Sequence, residues 1–187
     1  VLLIALDCEA STTDYCEKVR ETVANATGLP KHAIYMHSTH THVGPCLGYA
    51  NASQGYCNDL DVEYYSYTVK NIVSACAYAI KDLKPAKMGV AVSKAERVGF
   101  NRRYLMKDGT TQTNPGVNNP NIEKAIGVVD EEVSVLRFLR EDGKSYVLGE
   151  FGNHPDVVGG NKISGDWPTL TRSVFEKAIE NSKCIFF

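Results

Sequence analysis

The sequence predicts an α/β fold: a mixed, partly parallel sheet with flanking helices and a β-hairpin. Three observations predict it. Two strand-length apolar runs, residues 1–6 and 33–36, are separated by a helical segment, and strand–helix–strand order implies a parallel pair with a right-handed crossover. Residues 61–83 place Val62, Tyr65, Val69, Ile72, Val73, Cys76 and Ile80 at helical spacing. Two strand patterns, 131–139 and 145–151, flank Glu141-Asp142-Gly143-Lys144, which is hairpin chemistry. With 187 residues and 43% hydrophobic content, the chain has enough apolar side chain for one domain with a substantial core.

In chain order, the first strand ends in Asp7-Cys8-Glu9, where an acidic residue is either a site residue or a loop carboxylate. Ser11 or Thr12 is placed to cap a helix with Asp14 in its first turn, running to about Thr27. Gly28-Leu29-Pro30 stops it, a glycine-then-proline ending. The next strand leads into Tyr35-Met36-His37-Ser38-Thr39-His40-Thr41-His42-Val43-Gly44-Pro45, which holds three of the chain's five histidines. In extended backbone, residues two apart point to the same side. His40 and His42 are therefore candidates to grip one divalent metal, or one metal and its water; the alternative is a hydrogen-bonded or solvated pair. His37 is the candidate for a buried, satisfied histidine. Gly44-Pro45 turns the chain.

Residues 47–60 read as a polar loop before the long helix, which Lys84-Pro85 ends. Tyr64, Tyr65 and Tyr67 read as a helix face. Residues 86–98 alternate around Met88, Val90 and Val92 and read as a strand. Residues 107–120, rich in Gly, Pro and Asn, read as a loop, either a mobile lid or a plain surface segment. The hairpin's second strand leads into Gly152-Asn153-His154-Pro155 and a Gly-rich stretch to Asp166. Trp167-Pro168 then opens a helix to about residue 181, with Pro168 in its first turn. Asp166, next to the N-cap, is either a cap or a site residue. Residues 183–187 read as a last strand.

The net charge of -2 offers no basic surface for nucleic acid. No apolar run approaches the roughly 20 residues a membrane helix needs, so no transmembrane segment is expected. The six cysteines form no Cys-x-x-Cys, and a chain of this length does not need disulfides, so reduced thiols are expected. Asn25-Ala26-Thr27 and Asn51-Ala52-Ser53 match the glycosylation sequon, which recurs by chance. Both ends fall within apolar runs, which reads as a fragment of a longer protein, since termini are ordinarily polar and at the surface.

Four short segments, in order, resemble the neutral/alkaline (non-lysosomal) ceramidase family. Ser38-Thr39-His40-Thr41-His42-Val43-Gly44-Pro45 looks like its Thr-His-Thr-His-Ser-Gly-Pro, with Val43 in place of Ser. Asn101-Arg102 looks like its Asn-Arg segment, Gly152-Asn153-His154-Pro155 its His-Pro segment, and Asn161-Lys162-Ile163-Ser164-Gly165-Asp166 its Asn-Ser-Asp segment. The resemblance spans most of the chain and is nearest to the compact bacterial members. It implies a zinc amidase that hydrolyses N-acylsphingosine to sphingosine and a fatty acid. It further implies that His40 and His154 are zinc ligands, that His42 is a substrate or outer residue beside the metal, and that Arg102, or its neighbour Arg103, holds an oxyanion or carboxylate. A metal-ligating histidine is ordinarily oriented by a hydrogen-bonding neighbour, and Asp7, His42 or Asp166 is the candidate for that part. By the same resemblance, residues 1–187 are the N-terminal part of the catalytic domain, and the remaining ligands and the nucleophile belong to a C-terminal remainder. The implied location is secreted or membrane-associated. Two other readings stand beside it. A different metallohydrolase is one, although a barrel amidohydrolase needs eight strand–helix units and Val43-Gly44 stands where a metallo-β-lactamase pattern wants Asp-His. A non-catalytic lipid- or carbohydrate-binding relative is the other.

Overall fold

The computed structural model describes residues 1–48 and 62–187. Cys57, Asp61, the sequon at Asn51 and most of the loop read at 47–60 lie outside the described residues.

The first strand, β1 (Leu2–Leu6), is followed by a two-residue strand β2 (Ala10–Ser11) and helix α1 (Thr13–Thr27). Tyr15, Val19 and Val23, spaced by four, form its buried face. Thr12 is the N-cap, but its hydroxyl makes no capping bond; Ser11 instead shares a hydrogen bond with Ser38 at 2.8 Å. Gly28 ends the helix with φ 75°, the left-handed conformation that Gly adopts without cost. A 3-10 turn (Lys31–Ala33) leads to β3 (Ile34–Ser38), which pairs with β1 in parallel, Leu2 opposite Ile34 and Leu6 opposite Ser38. The predicted strand–helix–strand unit is present. β4 (Cys46–Leu47) pairs with β2, and α2 (Val62–Lys81) packs on α1, where Tyr15 meets Tyr65 edge to face at 5.1 Å. Ile4, Tyr15, Val19, Val23, Ile34, Val69 and Cys76 belong to one apolar core between β1, β3 and the two helices.

A second, four-stranded sheet follows. It is built from β5 (Ala86–Lys94), β9 (Glu132–Arg140), β10 (Ser145–Phe151) and β11 (Ser182–Phe186), in the order β11-β10-β9-β5. The β9–β10 hairpin is antiparallel, as predicted, and β11 runs parallel to β10. Helix α3 (Asp166–Ala178) makes that parallel crossover and covers the sheet with Trp167, whose ring meets Phe151 and Phe186 edge to face at 5.9 and 5.1 Å.

Three expectations are corrected. The loop read at 107–120 contains a strand. β6 (Arg103–Met106), β7 (Thr111–Thr113) and β8 (Ile122–Ala125) form a small antiparallel sheet. Cys46 is disulfide-bonded, whereas Cys8, Cys16, Cys76 and Cys184 are free thiols. The histidine strand ends at Ser38, so His40 and His42 lie beyond the pleat. Among the described residues no helix is long and apolar enough to cross a membrane.

Candidate metal centre

Three chain segments meet at the C-terminal end of the β1–β3 pair. The first is the turn after β3. His40 takes a left-handed backbone, φ 67°, so His40 and His42 converge through a turn and not through strand alternation. Backbone bonds anchor this turn on both sides. The Thr39 and His40 amides donate to the carbonyls of Leu6 (2.9 Å) and Cys8 (3.0 Å), and the His42 amide donates to that of Pro155 (3.4 Å). Thr41, fully buried, donates its hydroxyl to the Ser164 carbonyl at 2.7 Å, and the Ser164 amide donates to the Val43 carbonyl at 3.1 Å. Gly44 is needed here, because a Cβ would lie 2.7 Å from the Thr41 methyl.

The second segment follows β10 and carries His154. The Trp167 indole donates to the His154 carbonyl at 3.3 Å, which ties this turn to α3. The result is a cluster of His40, His42 and His154, with one ring nitrogen from each within 4.8 Å of the others. The Nε2 atoms of His42 and His154 are 2.7 Å apart, a hydrogen bond with one donor and one acceptor. His40 Nδ1 lies 2.7 Å from the Glu9 carbonyl. A carbonyl only accepts, so Nδ1 carries the proton and Nε2 is left with a free lone pair, the arrangement metal-binding imidazoles use. Burial, then the charge of Arg102, then the other two imidazoles, lower the pKa of His154, which is therefore neutral at pH 7. Among the described residues, the carboxylate paired with the cluster's imidazoles is Asp156, with Oδ1 3.9 Å from His42 Nδ1. Its place two residues after His154 is the only signal the sequence offered.

The third segment opens α3. Asp166 is 2% exposed with φ 54°. Its carboxylate does not reach a histidine. It accepts the backbone N–H groups of Val157 (2.9 Å), Val158 (2.8 Å) and Trp167 (2.6 Å), closing the turn that follows His154. Burial alone would raise its pKa, but these three donors and His42 together hold it below the ordinary carboxylate value. Asp7 does not touch a histidine either. It accepts from Thr39, the neighbour of His40, at 3.3 Å, and pairs with Arg172 of α3, whose other guanidinium nitrogen lies 3.0 Å from Asp7 Oδ1. Nothing in the sequence singled out Arg172, because the contact joins residues 165 apart.

Arg102 is exposed, on the loop before β6. A Cβ on Gly99 would sit 3.6 Å from Asn153 Oδ1, so this loop runs beside the His154 turn. The charge of Arg102 is near enough to contribute to the lowered pKa of His154. The structure thus brings His40, His42 and His154 into contact, sets Arg102 beside them, and places Asp166 behind the turn. The cluster offers imidazole nitrogens on a solvent-facing surface. That chemistry suits a divalent cation with a carbonyl-bearing ligand.

No family model matches the chain, and no curated protein sequence does. Solved structures do match. The chain is similar to a crystal structure of neutral ceramidase from Pseudomonas aeruginosa, with a TM-score of 0.70 and 18% identity, over 98% of this chain and 29% of that one. A structure described as ceramidase complexed with C2 gives a TM-score of 0.71 at the same identity and coverage. The chain spans less than a third of the length of either structure. Residues 1–187 therefore have the fold of the ceramidase segment they match.

Proposed function

We propose that residues 1–187 are part of a zinc-dependent amide hydrolase of the neutral ceramidase type, acting on a lipid amide and completed by further residues of the same protein. The observation that carries this reading is the convergence of His40, His42 and His154. Three imidazoles in one place fit zinc, which takes nitrogen at about 2.0–2.1 Å and leaves a position open in catalytic sites.

In this reading His40 and His154 hold the metal, His40 through the nitrogen not tied to the Glu9 carbonyl. Zinc held there would polarise the substrate's carbonyl and lower the pKa of a water to about 7. His42, in hydrogen-bond contact with His154, exchanges a proton with the reacting amide or its water. Arg102 places a fixed positive charge where an amide oxygen gains negative charge, in a geometry suited to two parallel hydrogen bonds. Asp166 keeps residues 155–158 in the conformation that presents His154.

The test is elemental analysis of the full-length protein together with hydrolysis of a short-chain N-acylsphingosine. About one zinc per chain, lost together with hydrolysis in His40→Ala and His154→Ala, is the expected result. Full zinc and full rate in either variant would overturn the ligand assignment. A full-length protein that takes up no zinc on reconstitution would overturn the hydrolase reading.

A further inference from the structure

The two histidines assigned to the metal come from different sheets. His40 follows β3, which pairs with β1, and His154 follows β10 of the four-stranded sheet. Among the described residues no backbone ladder joins these two sheets. The spacing of the two histidine turns therefore depends on contacts made by loops and side chains.

One contact reaches both turns from behind. Asp7 sits between Leu6 and Cys8, whose carbonyls accept the Thr39 and His40 amides at 2.9 and 3.0 Å. Moving Asp7 therefore moves the His40 turn. Asp7 Oδ1 also accepts from the Thr39 hydroxyl at 3.3 Å and from Arg172 Nη1 at 3.0 Å. Its Oδ2 accepts from Arg172 Nη2 and, at 3.4 Å, from the Thr169 hydroxyl. Arg172 Nη2 donates to that same hydroxyl at 2.9 Å, so the three side chains close a ring. Thr169 and Arg172 lie three apart and share a face of α3. The start of α3 holds the other histidine: Asp166 collects the Val157 and Val158 amides, and the Trp167 indole donates to the His154 carbonyl. Gly165 permits this close approach, since a Cβ there would lie 1.9 Å from Thr169 Oγ1 and 3.1 Å from Asp7 Oδ2.

We infer that Arg172 is a positioning residue: by clamping Asp7 to α3 it fixes the separation of the His40 and His154 turns, and with it the metal affinity of the pair. The metal half of this rests on the reading of His40 and His154 as ligands. A planar guanidinium grips a carboxylate through two parallel bonds, which sets direction as well as distance; an ammonium keeps the charge without the fork. The Arg172 and Asp7 side chains are 21% and 33% exposed, and an ion pair open to water adds little to global stability. The effect of the clamp is therefore local. The bonds from Thr41 and Val43 to Ser164 end before α3, whereas the clamp ties the His40 turn to the helix itself. Groups that hold a ligating histidine in place are worth about 10–100-fold in metal affinity.

The test uses the full-length protein, zinc-free and with isotope-labelled histidine, beside its Arg172→Lys and Arg172→Met variants. Wild type is expected to show NMR cross-peaks between the ring protons of His154 and those of His40 and His42, whose ring centroids lie 5.1 and 4.7 Å away. These cross-peaks should weaken in Arg172→Lys and vanish in Arg172→Met, with the melting temperature nearly unchanged. Zinc added afterwards should bind about 10–100-fold more weakly to the methionine variant. Cross-peaks as strong in the variants as in wild type would overturn the positioning role, whatever zinc does. The lysine variant, which keeps the charge, decides alone if the methionine variant does not fold. Unchanged zinc affinity in a variant that has lost the cross-peaks would overturn the link to the metal. Cross-peaks lost in the variants of a protein that takes up no zinc would keep the clamp and sink the metal reading.

Discussion

Replacing Asp166 with asparagine tests the idea that a buried carboxylate shapes the His154 turn. One carboxylate oxygen accepts from Trp167, and the other accepts from both Val157 and Val158. Asparagine has a single acceptor oxygen. Turned toward Val157 and Val158, it leaves the Trp167 amide facing an NH₂ group; turned the other way, it leaves two amides unpaired. At least one buried donor is orphaned, which costs about 1–3 kcal/mol, and the remaining bonds lose their charge assistance, so the total is about 2–4 kcal/mol. Backbone strain does not add to this, because asparagine tolerates the left-handed φ of 54°. The assay is urea unfolding of wild type and Asp166→Asn at pH 7. Acid adds a second readout. The folded-state pKa of Asp166 is lowered, so its contribution is fully present above the ordinary carboxylate value and is lost as pH falls through the depressed one. Asp166→Asn therefore loses less stability than wild type over that acid window. A change in unfolding free energy below about 0.5 kcal/mol, with an unaltered acid profile, would refute the reasoning.

Further outcomes follow from other contacts. His42→Ala is expected to keep zinc and lose rate by about 10²–10⁴-fold, the usual worth of a proton-transfer group; loss of zinc instead would make His42 a third ligand. His37, half-buried by Phe187 and with its pKa lowered by burial, should affect stability by about 1 kcal/mol on change to alanine and leave the rate unchanged. A pure rate loss at constant melting temperature would contradict that role. Asp142, whose pKa is lowered to about 2 by the Arg140 guanidinium, contributes stability above the ordinary carboxylate value that is lost as pH falls toward about 2. Asp142→Asn should flatten that part of the acid titration, and an unchanged curve would show that the pair is unimportant.

Much of the framework was legible from local pattern. Helix α1 stops at Gly28 because a left-handed residue is required there, and Gly28-Leu29-Pro30 advertises it. The parallel β1–β3 pair, the β9–β10 hairpin, α3 and β11 all follow from apolar period and turn chemistry, which act over a few residues. His-x-His was legible as a candidate for the same reason. The β6–β8 sheet was not, since its strands are only three or four residues long, too short to show alternation, and β7 and β8 are built mostly from Thr, Gln, Glu and Lys. The site itself was decided by tertiary structure. His42 and His154 are 112 residues apart in sequence, and their contact depends on two turns being held face to face by Thr41, Ser164 and the amides that Asp166 collects. Even the shared direction of His40 and His42 came from a left-handed residue beyond the strand end and not from the pleat. Residue types and short spacings set which segments become strands, helices and turns. Which imidazoles share a space is set by long-range packing, because that depends on where the turns are anchored and not on their own sequence.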